Sequence, residues 1–123
     1  MTDFDRWLVD QFAETGAFTT LVVLVGIEAA RVTPLRSTHF NIIGTETNWA
    51  EVSALFMGTG RDWDGVSFFP VTTADGGLLD NLAASLKLRE IEARLDEDRL
   101  VLNEGQFFDK WGRRMRIDEV ELQ

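Results

Sequence analysis

The sequence predicts a single α+β domain, residues 1–123, with a mainly antiparallel sheet and about three helices. Residues 4–14 place apolar side chains at helical spacing, which predicts an amphipathic helix. Residues 19–27 form a continuous β-branched and apolar run, typical of a strand buried on both faces near the middle of a sheet. The chain of 123 residues shows no internal repeat, low-complexity segment or linker, so one core is expected.

Polar residues and glycines mark the ends of two helices in the N-terminal half. Asp3 is expected to cap the first helix, and Gly16 is expected to end it. Thr47 or Asn48 is expected to start the second helix, which carries an apolar face and ends at Gly58.

Strand patterns lie between and after these helices. Pro34 predicts a loop, and residues 38–43 follow it as a second strand. Residues 58–65 are predicted to form a loop, and residues 66–71 are predicted to form a third strand.

The C-terminal half contains an ambiguous segment, residues 87–96. Asp75 is expected to cap a third helix that carries apolar residues within 78–86. Residues 87–96 are good helix formers and could extend this helix to about residue 96. Their apolar positions lie opposite those of 78–86, so a straight helix would need two apolar faces. This favours a hairpin in which residues 91–95 form the first strand, 96–98 the turn and 99–103 the second strand. Three short strands complete the predicted meander: 99–103, 106–109 and 114–117.

The charge of the chain limits the partners that it can bind. Asp and Glu number 21 and Lys and Arg number 12, which gives a net charge of −9. The acids are spread along the chain, which is typical of a solubilising surface. This charge disfavours nucleic acid and anionic membranes as partners and is compatible with a basic protein.

The cellular location is predicted from three features. The chain contains no Cys, so neither a disulfide framework nor a thiolate metal site is expected. The longest apolar run, residues 21–27, is too short to span a membrane. The acidic N-terminus lacks the basic start of a secretory signal, so a cytoplasmic protein is expected.

The predicted loop before the third strand contains Asp62, Trp63 and Asp64. Two carboxylates before a glycine resemble the start of a calcium loop, but the later ligand positions do not fit, so no metal is predicted. We expect the aspartates to accept hydrogen bonds from nearby backbone amides. Trp63 is expected to fold back onto the core, and its alternative role is to anchor a partner.

His39 is the only histidine, and it lies in a predicted strand. A single histidine excludes the common His-rich zinc sites. Ser37 and Thr38 cannot both converge with it, because successive strand side chains point to opposite faces. A partly exposed structural histidine is the favoured interpretation, and ligand binding or acid–base catalysis is the alternative. Residues 58–60 lack the third glycine and the lysine of phosphate-binding loops, so no cofactor is predicted.

One basic cluster locally reverses the acidic charge. Arg113, Arg114 and Arg116 follow Trp111, and in a strand Arg114 and Arg116 share one face. Such a surface could bind an anion or an acidic partner. The favoured alternative is that these arginines pair across neighbouring strands with acids such as Glu90, Glu92 or Glu104.

Two adjacent aromatic pairs, Phe68-Phe69 and Phe107-Phe108, lie in predicted strands. Adjacent strand residues face opposite sides, so each pair places one ring on each face of the sheet. The sheet must therefore be covered on both faces or used for association. With four Trp and nine Phe in the chain, this aromatic surplus supports a homodimer or another protein interface.

These observations favour a small acidic binding or regulatory protein that engages a protein partner, with a homodimer as one form of that association. An immunity-type or inhibitor role against a basic protein is one example. The alternative is a small-molecule-binding or enzymatic domain whose aromatic-lined pocket uses His39, a carboxylate or the arginines of residues 113–116. No catalytic residue is assigned, and the candidate binding residues are His39, Asp62, Trp63, Asp64, Trp111, Arg114 and Arg116.

Overall fold

The computed structural model describes residues 1–29, 31–58 and 62–118. Four antiparallel strands form one sheet and pack with helices, so the predicted α+β class is confirmed. In chain order the elements are α1 (Asp3–Thr15), β1 (Phe18–Glu28), β2 (Arg31–Ile42), α2 (Trp49–Met57), β3 (Gly65–Val71), α3 (Asn81–Glu97), a 3₁₀ helix (Arg99–Glu104) and β4 (Gln106–Asp109).

The strand order β2-β1-β3-β4 places β1 inside the sheet and leaves β2 and β4 at its edges. β1 is buried from Phe18 to Val25, as its continuous apolar run predicts. Pro34 lies inside β2, so the predicted loop at this position is wrong. An edge strand tolerates proline, which has no N–H to donate to a neighbouring strand.

The adjacent phenylalanines divide between two cores on opposite faces of the sheet. Phe68 and Phe108 join the core that contains residues of α1 and α2. Phe69 and Phe107 join the core that contains residues of α3 and the 3₁₀ helix. Of the two alternatives, coverage of both faces is the one observed. All four rings are buried, so they provide no surface for association.

Side-chain caps start α1 and α2. Thr2, and not the predicted Asp3, caps α1: its Oγ1 accepts from the N–H of Asp5 at 3.1 Å. Asn48 caps α2 as expected, because its Oδ1 accepts from the N–H of Glu51 at 3.0 Å. Both helices therefore begin where a short polar side chain satisfies a free backbone donor.

The strand predicted at residues 91–95, as the first arm of a hairpin with 99–103, is wrong, because α3 continues through this segment to Glu97. Leu88 and Leu95 are buried, whereas Leu82 and Leu86 remain exposed. The helix does carry two apolar faces, and only one of them packs on the sheet.

The start of α3 also differs from the prediction. Asp80, and not Asp75, is the N-cap, with its Oδ1 accepting from the N–H of Ala83 at 2.7 Å.

Two predicted C-terminal strands are corrected by the structure. Residues 99–103 lie in the 3₁₀ helix, which buries Val101 and Leu102. Residues 114–117 form no strand, and Arg114 makes one isolated bridge to Phe108. Met115 and Ile117 still pack against the core that contains residues of α3 and the 3₁₀ helix, which agrees with the predicted alternation.

Candidate functional site

The predicted binding residues lie at opposite edges of the sheet. His39 is on β2, while Trp111, Arg114 and Arg116 follow β4 at the other edge. Three interstrand spacings separate these edges, about 14 Å. The predicted residues therefore belong to separate surfaces and do not converge on one site.

Of the predicted loop over residues 58–65, residues 59–61 lie outside the described residues, and Trp63 and Asp64 have structural roles. Trp63 is only 7% exposed and packs edge-on against Trp49 and Phe56, with ring centroids 6.1 and 5.7 Å away. It folds back onto the core, so it is not an exposed anchor for a partner. Asp64 Oδ2 accepts from the N–H of Ile27 at 2.7 Å, and Asp62 is exposed.

The arginine cluster is largely engaged by nearby groups. Arg113 pairs with Asp109 at 2.8 Å, and Arg116 pairs with Asp118 at 3.4 Å. The guanidinium of Arg114 lies 5.1 Å from the centre of the Phe108 ring. Two of the three acids expected as partners are engaged elsewhere, since Glu104 pairs with Arg94 and Glu92 accepts from Ser37.

Trp111 is the exposed aromatic residue of this edge, with 64% of its surface accessible. Asp109 Oδ1 shapes the turn that presents it, accepting from the N–H groups of Trp111 and Arg113 at 2.9 and 3.0 Å. The guanidinium of Arg113 lies 5.0 Å from the centre of the indole. Its role as a partner contact remains a prediction.

A groove lies on the other side of the molecule, between β2 and α2, and we call it the α2-side groove. Its volume is about 400 Å³. Five consecutive residues of β2 line it, from Arg36 to Phe40, together with Leu24, Leu55 and Phe56. Because successive strand side chains alternate between faces, lining by consecutive residues means that the edge of the strand itself forms this wall.

β2 is a long strand with one free side. The register passes from Leu24↔Arg36 to Val25↔Pro34, so Leu35 is an extra residue in a bulge. Bulges and prolines protect edge strands from unwanted pairing. The regular part that remains, from Arg36 to Ile42, contains the five residues that border the groove.

The charge of β2 is opposite to that of the whole chain. The strand contains Arg31, Arg36 and His39 and no carboxylate, in a chain of net charge −9. Within the part of the chain that the structure describes, no hydrogen bond or ion pair engages the side chains of Arg36 and His39.

A second groove of about 330 Å³ lies on the opposite face, between β2 and α3, and we call it the α3-side groove. Glu92 and Asp96 line it beside Arg36 and Ser37. The Ser37 hydroxyl donates to Glu92, which ties the strand to α3. The α3-side groove is therefore more acidic than the α2-side groove, and its Ser37 hydroxyl is already engaged in a hydrogen bond.

The sequence pointed to His39 as a candidate binding residue but not to Arg36, Leu55 or Phe56. β2 contains basic residues and no acid, and this pattern could have indicated Arg36 as a binding residue. Leu55 and Phe56 could not be placed beside it, because their approach to β2 depends on how α2 packs.

Among the described residues, no group of three or more His, Cys, Asp or Glu side chains could hold a metal ion. None of the helices in the described ranges is long and apolar enough to cross a membrane. No protein-family model, curated protein or solved structure matches this chain.

Proposed function

We propose that this chain is a binding protein that holds an extended segment of a partner protein along the free edge of β2, in the α2-side groove. The observation that supports this most directly is the lining of that groove by five consecutive β2 residues, Arg36 to Phe40, opposite Leu55 and Phe56 of α2. A segment in this position gains backbone hydrogen bonds on one side and apolar contact on the other.

The backbone of β2 supplies the hydrogen bonds. In an antiparallel pair, every second residue directs its N–H and C=O groups away from the neighbouring strand. β2 pairs with β1 on one side only, so these alternate groups remain available to an added strand.

The apolar wall supplies the contact area. Leu55 is 65% exposed at the groove, next to the buried ring of Phe56. An exposed leucine is common on protein surfaces, but one that borders an open strand edge can be covered by a bound segment.

Four expectations drawn from the sequence remain part of this proposed function. A chain of net charge −9 is a poor ligand for nucleic acid phosphates, so we propose a protein partner. A cytoplasmic location and a regulatory role also remain parts of this proposal, as does a non-enzymatic mode of action.

Selection from a random library of ten-residue peptides displayed on phage, with the folded protein as bait, tests this proposal. We expect the selected peptides to shift the backbone NMR signals of residues 36–40 and 55–56. Leu55→Lys should weaken their binding at least tenfold. Leu82→Lys is the matched control, because Leu82 is a similarly exposed leucine on α3, outside the groove. Selected peptides that bind elsewhere, or that bind both variants equally, would contradict the proposal.

A second candidate function is the binding of a small molecule in the same groove. Its volume of about 400 Å³ is sufficient for such a ligand, and Phe40, Phe56 and His39 line it. A thermal-shift screen of small aromatic acids would support this function if a hit stabilised the wild type but not Leu55→Lys. Hits that stabilise both proteins equally would count against it.

A further inference from the structure

We propose that the segment bound along β2 is acidic, with a carboxylate placed beside Arg36 and an apolar side chain placed beside Phe40. This inference rests on the proposed function and specifies the chemistry of the partner at that site.

The first argument is the local charge of the α2-side groove. None of its eight lining residues is an acid, and the basic residue Arg36 is one of them. Arg36 is exposed, and no ion pair engages it within the described part of the chain. A guanidinium without a partner beside an open strand edge can bind a carboxylate in a bidentate arrangement.

The second argument is the alternation of β2. Arg36 and Thr38 pair with Leu24 and Val22, whose side chains belong to the core beneath α1 and α2. Side chains in a cross-strand pair lie on the same face, so Arg36, Thr38 and Phe40 are directed toward α2. Phe40 packs partly against that core.

This alternation predicts a spacing in the partner. Arg36 and Phe40 are four residues apart on one face, which corresponds to about 13 Å along a strand. A segment paired with β2 has the same repeat, so its acidic and apolar residues should also be four positions apart.

The charge pattern disfavours other occupants of this edge. A second copy of β2 would offer Arg36 no carboxylate and would add the charges of its own Arg31 and Arg36 to the same edge, which is repulsive. A basic segment would meet the same repulsion. Attraction of an acidic segment is local, because the net charge of −9 repels acids at longer range.

The same phage-displayed library tests this inference through the composition of the selected peptides. With the wild type as bait, we expect enrichment of Asp or Glu four positions from Leu, Val or Phe. With Arg36→Glu as bait, the enrichment should change to Lys or Arg. Arg89→Glu, at an exposed arginine of α3, is the matched control and should select the same acidic peptides as the wild type.

Replacing the selected acid with Gln should weaken binding to the wild type at least tenfold, and should change binding to Arg36→Gln much less. Peptides that bind at β2 without acidic enrichment would overturn this inference and leave the proposed function intact. Peptides that bind elsewhere would instead overturn the proposed function.

Discussion

Asp5 accepts a hydrogen bond from the backbone N–H of Trp49, with 2.8 Å between Oδ1 and N. Its other oxygen, Oδ2, accepts from the N–H of Thr2 at 2.9 Å and completes the capping box of α1. One carboxylate thus joins the first turns of α1 and α2. Its negative charge lies near the positive ends of both helix dipoles, which is a favourable interaction. Because α2 forms a wall of the α2-side groove, a residue of α1 helps to position that wall.

We expect Asp5→Asn to destabilise the fold by about 1–2 kcal/mol at neutral pH, because it removes a charge that accepts two backbone hydrogen bonds. Burial raises the pKa of Asp5, but the bonds from Thr2 and Trp49 outweigh it and hold the pKa below its ordinary value of 3.8. The ionised group therefore stabilises the fold above that value, and this contribution is lost as the pH falls through the lower, folded-state pKa.

Urea unfolding between pH 2 and pH 7 measures this effect. The stability of the wild type should fall toward acid more steeply than that of Asp5→Asn. Asp10→Asn, at an exposed position of the same helix, should follow the wild type. Parallel pH profiles for the wild type and Asp5→Asn would show that Asp5 does not contribute in this way.

Gly112 is required by both its backbone and its surroundings. Its φ is +76°, and a Cβ placed there would lie 2.9 Å from Cγ of Trp49 and 3.1 Å from Cβ of Thr2. We expect Gly112→Ala to cost more than about 2 kcal/mol, from backbone strain and steric overlap together. Gly76→Ala is the control for strain alone, because its φ is +82° and no atom lies within 4 Å of the added Cβ. Equal losses of stability on thermal unfolding would show that the overlap with Trp49 contributes nothing.

Thr19 connects β1 to β2 and to the residues just before α3. Its buried Oγ1 donates to Asn41 Oδ1 at 2.8 Å and accepts from the N–H of Leu79 at 3.0 Å. Thr19→Val keeps the shape but leaves the Leu79 N–H without this acceptor, so we expect a loss of about 2 kcal/mol. Thr20→Val should be less costly, because the Thr20 hydroxyl bonds only to the carbonyl of Leu21 among the described contacts. Urea unfolding compares the two, and the reverse order would contradict this role of Thr19.

The two apolar faces of α3 should respond differently to truncation. Leu88 is buried against the sheet, and Leu88→Ala should cost about 2–4 kcal/mol. Leu82 is 71% exposed, and Leu82→Ala should change the stability of the monomer by less than about 0.5 kcal/mol. Thermal unfolding measured at several protein concentrations separates folding from association. A concentration-dependent loss in Leu82→Ala alone would indicate that this face is covered by a second copy.

Local patterns were sufficient to predict much of the fold. The continuous apolar run of β1, the periodicity of α1 and the Asn48 cap of α2 each depend on residues close together in sequence. Residues 87–96 of α3 were wrongly predicted as part of a hairpin, because both apolar faces of a continuous helix were assumed to require burial. Leu82 and Leu86 are exposed, so the two apolar faces that favoured a hairpin were compatible with one helix.

The candidate site was less predictable, because its parts come from distant segments. His39 was correctly placed in a strand, but its position on a free edge depends on the strand order. The residues next to Trp63 in the sequence are compatible with either an exposed or a buried indole. Its contacts with Trp49 and Phe56, which are distant in sequence or come from another element, bury it. Trp111 follows a tight turn and remains exposed.

The sequence by itself determined the class of the fold, the central position of β1 and the division of the adjacent phenylalanines between the two faces of the sheet. These follow from helical and strand periodicity, which short-range geometry imposes on side chains. Only the tertiary structure decided which strand edge is free, which side of α3 is buried and which residues meet at the α2-side groove. These depend on how separate elements pack to exclude water, and many arrangements of elements satisfy the same local pattern.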